Sequence, residues 1–237
     1  MYRGFIVVDV EPATVVAVLL CNVCLVKRAC LAIILNQQPL ASLYIELYIA
    51  KKLTLSSTMK RLETLREYVY WSYANLCMAH AAINMGDSNY KRLHFMIRAK
   101  MYKGLLAGTM SIASIVDDEK TKIIQGAMCS YCYSTECLSA DHLVPKFLGG
   151  GNVADNIVCS CRSCNSSKGK RDFLEWYAYR NEFPPLLTLR RYLKLVIRYI
   201  DENDLGSCLV EQIKSLNMPF RLDLIPLNYP LPSEIRL

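Results

Sequence analysis

The sequence predicts an α+β chain. Three observations carry this: a β-prone opening, two stretches whose apolar residues recur at helical steps, and a short cysteine-rich piece followed by a helical tail. With 237 residues, 53% of them apolar, the chain can bury a core and has room for one domain and a smaller attached one.

The opening holds Phe5-Ile6-Val7-Val8, an apolar stretch through Val23 and a second run from Leu40 to Ala50. Periodicity does not separate strand from buried helix there. Thr14 to Leu35 is interrupted by Asn22, Lys27 and Arg28, so it falls short of the ~20 apolar residues of a bilayer helix and reads as a buried element of a soluble core. Arg3, Asp9 and Glu11 break the basic-then-apolar order of a signal peptide.

From Ser56 or Ser57 as N-cap, Met59, Leu62, Leu65, Val69, Tyr73 and Leu76 recur at helical steps, with Gly86 past the end. A second helix follows the cap candidates Asp87 and Ser88, with Tyr90, Leu93, Ile97 and Met101 on one side and a break near Gly104. Its polar side carries Lys91, Arg92, Arg98, Lys100 and Lys103, which suits either a phosphate backbone or plain solubility. His80 and His94 lie in these helical patterns without a carboxylate or cysteine cluster and read as structural; Cys21 and Cys24 read as buried thiols. The group from Asp117 to Lys120, then Gln125-Gly126, marks a boundary. Beyond the cysteine-rich piece, Phe173 to Arg180 and Leu186 to Ile200 read as helices separated by Pro184-Pro185, and the proline-bearing end as extended chain. The expected division is a mainly helical region over 1–120, a small module over 121–175 and a helical and extended tail over 176–237.

The formal charge is +7, and between Ser160 and Arg198 nine Lys/Arg stand against three acids. Such a cluster suits a polyanion, with a solvated helix face as the plainer reading. Eleven cysteines, an odd number, point to reduced thiols and metal ligation inside a cell, in the cytoplasm, more than to a disulfide scaffold.

Between Met128 and Asp172 stand two Cys-x-x-Cys units, Cys129/Cys132 and Cys161/Cys164. Each puts two thiolates on one side of a tight loop, and two such loops close a tetrahedral Zn²⁺ site of the structural kind. In so small a piece the ion supplies much of the folding free energy, roughly 10–16 kcal/mol in finger peptides. Cys137 and Cys159 are spare thiols, and either could replace an assigned ligand.

Between the pairs come Asp141-His142, a Pro- and Gly-rich loop and Asp155-Asn156-Ile157-Val158; after the last cysteine come Asn165 and the basic run Lys168-Gly169-Lys170-Arg171. This order closely resembles the HNH endonuclease family over residues 128–172, near a fifth of the chain. The resemblance implies a ββα-metal fold and hydrolysis of DNA leaving 5′-phosphate and 3′-hydroxyl ends. His142 is expected as general base, since a neutral imidazole with an ordinary pKa of about 6.5 can take a proton from water near neutral pH. Asp141 and Asn165 are expected to hold the catalytic ion; one carboxylate and one amide carbonyl suit Mg²⁺ or Mn²⁺ better than Zn²⁺. By family analogy Asn156 pins the loop after His142. Lys168, Lys170 and Arg171 are expected on substrate phosphates.

DNA is therefore the expected partner, with no membrane and no small-molecule substrate. One such site cuts one strand, so a double-strand break needs a homodimer, a protein partner or two successive nicks. Restriction or phage defence is the favoured setting. Two rivals stand: a non-catalytic zinc-ribbon module that binds nucleic acid, and a nuclease subunit latent until a partner complex activates it.

Overall fold

The computed structural model describes residues 7–10, 14–17, 33–35, 62–112 and 128–237. The readings made for Cys21 and Cys24, the run from Leu40 to Ala50, Ser56, Ser57 and Met59, and the boundary from Asp117 to Gly126 lie outside the described residues.

The chain forms two compact units, Met1–Arg61 and Leu62–Leu237. In the first, β1 (Val7–Val10), β2 (Thr14–Ala17) and β3 (Ile33–Leu35) form an antiparallel sheet in that order, with Val7 opposite Ala17 and Ala17 opposite Ile33. Their β-branched composition favours a pleated surface. Thr14 to Leu35 thus begins and ends in strands.

The second unit opens on α1 (Leu65–Asn84). Thr64 caps it: its hydroxyl accepts the Glu67 N–H at 3.2 Å, and the Glu67 carboxylate accepts the Thr64 N–H at 3.4 Å. This reciprocal cap starts α1 at Leu65, and residues 62–64 are not helical, which corrects the expectation of one unbroken helix running on from Ser56 or Ser57. Leu62 precedes the helix, and Thr64 bridges to Leu209 instead. Gly86, at φ +70°, turns the chain out past the C-cap Met85.

α2 (Arg92–Leu106) is also corrected in detail. Leu93, expected inside, is 51% exposed, and His94 is fully buried in its place. The His94 Nδ1 accepts the Lys91 N–H at 3.0 Å and thereby caps the helix, while its Nε2 lies 3.3 Å from Asp87. Arg98, expected on the polar side, stacks on Trp71 and donates to Asn75.

β4 (Leu138–His142), β5 (Ile157–Cys161) and α3 (Arg162–Lys168) then form a ββα unit, followed by α4 (Phe173–Tyr179) and α5 (Leu186–Glu202). Pro185 occupies the N-cap of α5, where its missing N–H costs nothing. The buried face of α5 runs Leu186, Leu189, Leu193, Val196, Ile197, Ile200 and packs on α1. Each such aliphatic side chain contributes about 1.5–3 kcal/mol by leaving water. The proline-bearing end lies along α1: Ser72 donates to the Pro226 carbonyl at 2.7 Å, Asn75 to Leu227 at 3.1 Å, and Tyr90, beyond α1, to Pro230 at 2.8 Å. Among the described residues no helix is long and apolar enough to cross a membrane.

Tyr131, Phe173, Trp176, Tyr177 and Tyr192 join the ββα unit to α4 and α5 as one aromatic cluster. At its edge Asp172, fully buried, caps α4 by accepting the Leu174 and Glu175 N–H groups and takes the Tyr192 hydroxyl at 2.7 Å. Burial outweighs these donors and pushes the carboxyl from its ordinary 3.8 up to about 6. The native chain therefore keeps a proton that the unfolded carboxyl has released. Stability from this group is complete below pH 3.8 and is lost as pH rises through about 6. Asp172→Asn, which keeps a capping oxygen, is expected to remove that slope. Urea unfolding of wild type and variant at pH 4.5 and 7 checks it, and an unchanged difference between them would refute it.

Candidate metal centre and active site

Cys129 and Cys132 sit on a turn closed by the Tyr133 N–H to the Cys129 carbonyl at 2.9 Å and by the Cys129 N–H to Ser134 at 2.8 Å. The Ser130 N–H reaches the Cys159 carbonyl at 2.8 Å, which ties this turn to β5. Cys161 ends β5 and is also the N-cap of α3, its sulfur accepting the Cys164 N–H at 3.4 Å. That hydrogen bond pulls the Cys161 thiol down to about 7.

The sulfurs of Cys129, Cys132, Cys161 and Cys164 all lie within 4.8 Å of one another, and Cys132 Sγ stands 3.7 Å from Cys161 Sγ. Four sulfurs about 2.3 Å from a tetrahedral zinc ion would be about 3.8 Å apart. The cluster fits Zn²⁺ in number, donor type and spacing. Cys137 and Cys159 stand outside it.

β4 and β5 pair antiparallel from Leu138 opposite Cys161 to His142 opposite Ile157. Strand alternation then turns Asp141 inward, 7% exposed, and leaves His142 half-buried. The Asp141 carboxylate accepts the Tyr131 hydroxyl at 2.6 Å and the His142 N–H at 2.8 Å, and the Lys168 ammonium lies 3.1 and 3.3 Å from its two oxygens. Burial and the neighbouring Asp141 charge raise the Tyr131 phenol, which keeps it a donor.

Lys168 corrects an expectation. It is 1% exposed, and its ammonium is spent on Asp141 and on the His142 carbonyl at 2.7 Å, so it braces the site from inside and does not face a phosphate. A buried ammonium is tolerated only when paired and hydrogen-bonded in this way. The helical end of the basic stretch is corrected similarly. Arg191 and Lys194 are buried, and Arg191 donates to the Ala154 and Asp155 carbonyls while Arg198 pairs with Asp155 at 2.7 Å. Lys170 and Arg171 are exposed.

His142 Nε2 lies 3.0 Å from Asn152 Oδ1. With that oxygen as acceptor the ring proton sits on Nε2, which leaves Nδ1 as the basic nitrogen. Asn156, 2% exposed, accepts the Val144 N–H at 2.8 Å and donates to the Val144 and Gly151 carbonyls, both at 2.9 Å. A Cβ at Gly150 would stand 1.9 Å from the Val144 carbonyl oxygen, so this close crossing of the loop requires glycine. On α3, Asn165 donates to Ser139 Oγ at 3.2 Å and to the Ala140 carbonyl at 3.4 Å, which sets its amide against β4 next to Asp141. Among the described residues no donor meets its Oδ1. Asp141 and Asn165 are the hard oxygen donors that Mg²⁺ or Mn²⁺ prefers, and an ion there would share Asp141 with the Lys168 ammonium or displace it.

Sequence reasoning missed Tyr131 and Asn152. Tyr131 falls inside the first Cys-x-x-Cys turn and Asn152 in the glycine-rich loop, where no spacing rule reveals their contacts.

Comparison with known proteins agrees with this geometry. A family model described as HNH endonuclease matches residues 128–172. The CRISPR-associated endonuclease Cas9 of Corynebacterium diphtheriae is 39% identical over 56 residues, which cover 22% of this chain and 5% of that protein. The chain thus aligns with only a small part of that relative. No solved structure matches.

Proposed function

We infer, from residues 128–172 belonging to the HNH endonuclease family, that the chain hydrolyses DNA phosphodiester bonds with the help of a divalent metal ion. The observation that supports this most is His142 at the end of β4: one ring nitrogen is tied to Asn152, the other is left basic, and Asp141 and Asn165 stand beside it. In this reading Nδ1 takes a proton from the attacking water. The new O–P bond forms as the bond to the 3′ oxygen breaks, and that oxygen leaves with a proton from solvent. The ends are a 5′-phosphate and a 3′-hydroxyl.

Asp141 and Asn165 would hold Mg²⁺ or Mn²⁺, whose charge would stabilise the negative charge growing on the phosphoryl and leaving oxygens. Asn156 acts at one remove by fixing the backbone after His142, and Lys168 and Tyr131 fix the Asp141 carboxylate. Lys170 and Arg171 meet substrate phosphates. The four cysteines hold structural Zn²⁺. Residues 121–175 do the cutting, 1–120 bind DNA or a protein partner, and 176–237 brace the module. A second copy or a partner would supply the second cut of a double-strand break. We place the activity inside the cell, in restriction or defence against foreign DNA.

Supercoiled plasmid tests this. The zinc-loaded chain is expected to convert it to nicked or linear DNA with Mg²⁺ or Mn²⁺, and to leave it intact when neither is added. Absence of cutting under both metals would overturn autonomous cleavage and leave the two rivals, the non-catalytic zinc ribbon and the subunit latent without its partner.

A further inference from the structure

Phe147 and Tyr179 are 75% and 78% exposed, more than any other large apolar side chain among the described residues. They stand on different elements, Phe147 in the turn Lys146–Leu148 of the His142 loop and Tyr179 at the end of α4. Each ring nevertheless meets a cation from one dipeptide. Lys170 Nζ lies 5.4 Å from the Phe147 centroid, and Arg171 Cζ lies 5.1 Å from that of Tyr179. Consecutive Cα atoms are about 3.8 Å apart, so the two ring–cation pairs are anchored on adjacent points of one backbone segment.

A cation over an exposed ring gives back only a small part of what burying that ring would, so the stacking does not by itself account for the exposure. Nor is the charge cancelled by the next residue, because Asp172 is fully buried and turned onto Tyr192 and the α4 backbone. Each cation covers one ring face. The exposure leaves the other face to water.

A flat apolar face beside a positive charge, offered twice, suits a chain that alternates planar π systems with anionic linkages. Paired bases inside a duplex are already stacked on one another and cannot reach such a ring. We propose that Phe147 and Tyr179, with Lys170 and Arg171, form a stacking site for unpaired nucleobases of the strand to be cut, so that the substrate is single-stranded or locally unpaired DNA. The proposal rests on the nuclease reading above. Phe147 lies five residues beyond His142, on the loop that Asn156 pins, so the stacking ring and the proposed general base belong to one braced segment.

The test reads binding without cutting, in full-length His142→Ala chain with no added Mg²⁺ or Mn²⁺. Fluorescence polarisation compares three labelled oligonucleotides: single-stranded DNA of mixed sequence, its blunt duplex, and an abasic strand with the same phosphates. The single strand is expected to bind tightest. Phe147→Leu and Tyr179→Leu are each expected to weaken it roughly 5- to 150-fold, the range for one lost base stack, and to leave the abasic strand unaffected. Both side chains are exposed, so zinc content and circular dichroism should match the parent. Equal binding of base-bearing and abasic strands, unchanged affinity in the ring variants, a duplex bound as tightly as the single strand, or no binding at all would each overturn the proposal. Because cutting is never read, a failure of His142 as the base leaves this result interpretable.

Discussion

His142→Ala is expected to lower plasmid cutting by about 100- to 10,000-fold, the usual contribution of a positioned general base. The change should cost little stability. The ring is half-buried and its one polar contact among the described residues is Asn152, while the contacts that hold the strand end, the His142 N–H to Asp141 and its carbonyl to Lys168, belong to the backbone and survive. Loss of cutting with unchanged zinc content and thermal midpoint would therefore report chemistry and not unfolding. Asn152→Ala, which frees the ring without removing it, should give a smaller loss in kcat. A His142→Ala chain that still cuts at the wild-type rate would dismiss the imidazole as the base.

Cys161→Ser should do the opposite, leaving the reactive side chains in place and removing what aligns them. The chain is expected to bind one zinc ion per chain through the four-sulfur cluster, and the variant to lose it. Structural zinc is worth about 10–16 kcal/mol in finger peptides, as much as or more than the roughly 5–15 kcal/mol that hold a typical domain together. The turn at Cys129, the end of β5 and the start of α3 all converge on that cluster, so its loss should unfold the module and abolish cutting. Metal analysis beside a thermal melt checks this. A variant that melts with wild type after losing its ion would show that the aromatic cluster alone carries the module.

The cysteine cluster was legible because thiolate pairs at this spacing have few other uses, and the ββα order followed from the resemblance. The end of α1 was legible from Gly86, and the start of α5 from Pro184-Pro185. What hydropathy hid were polar groups taken inside with a partner far along the chain. Lys168 reads as one more cation in a basic run until Asp141, 27 residues away, is seen to neutralise it. Arg191 reads as a helix surface until it meets the carbonyls of the turn before β5. His94 replaces Leu93 on the buried face because a capping nitrogen was needed there. Thr64 and Glu67 did spell the start of α1, but the apolar rhythm upstream of them spoke louder. Base preference and cleavage pattern depend on surfaces whose ligand is another molecule, so no rule of intrachain spacing encodes them.

The hold of α5 on the turn Ala154–Asn156, through Arg191 and Arg198, has a dynamic consequence. Asn156 in turn grips the segment that follows His142, so this segment does not behave as a swinging gate. Loosening α5, by heat or by a binding event at its far end, is expected to release the turn Ala154–Asn156 and with it the segment after His142, at a distance from the ring itself.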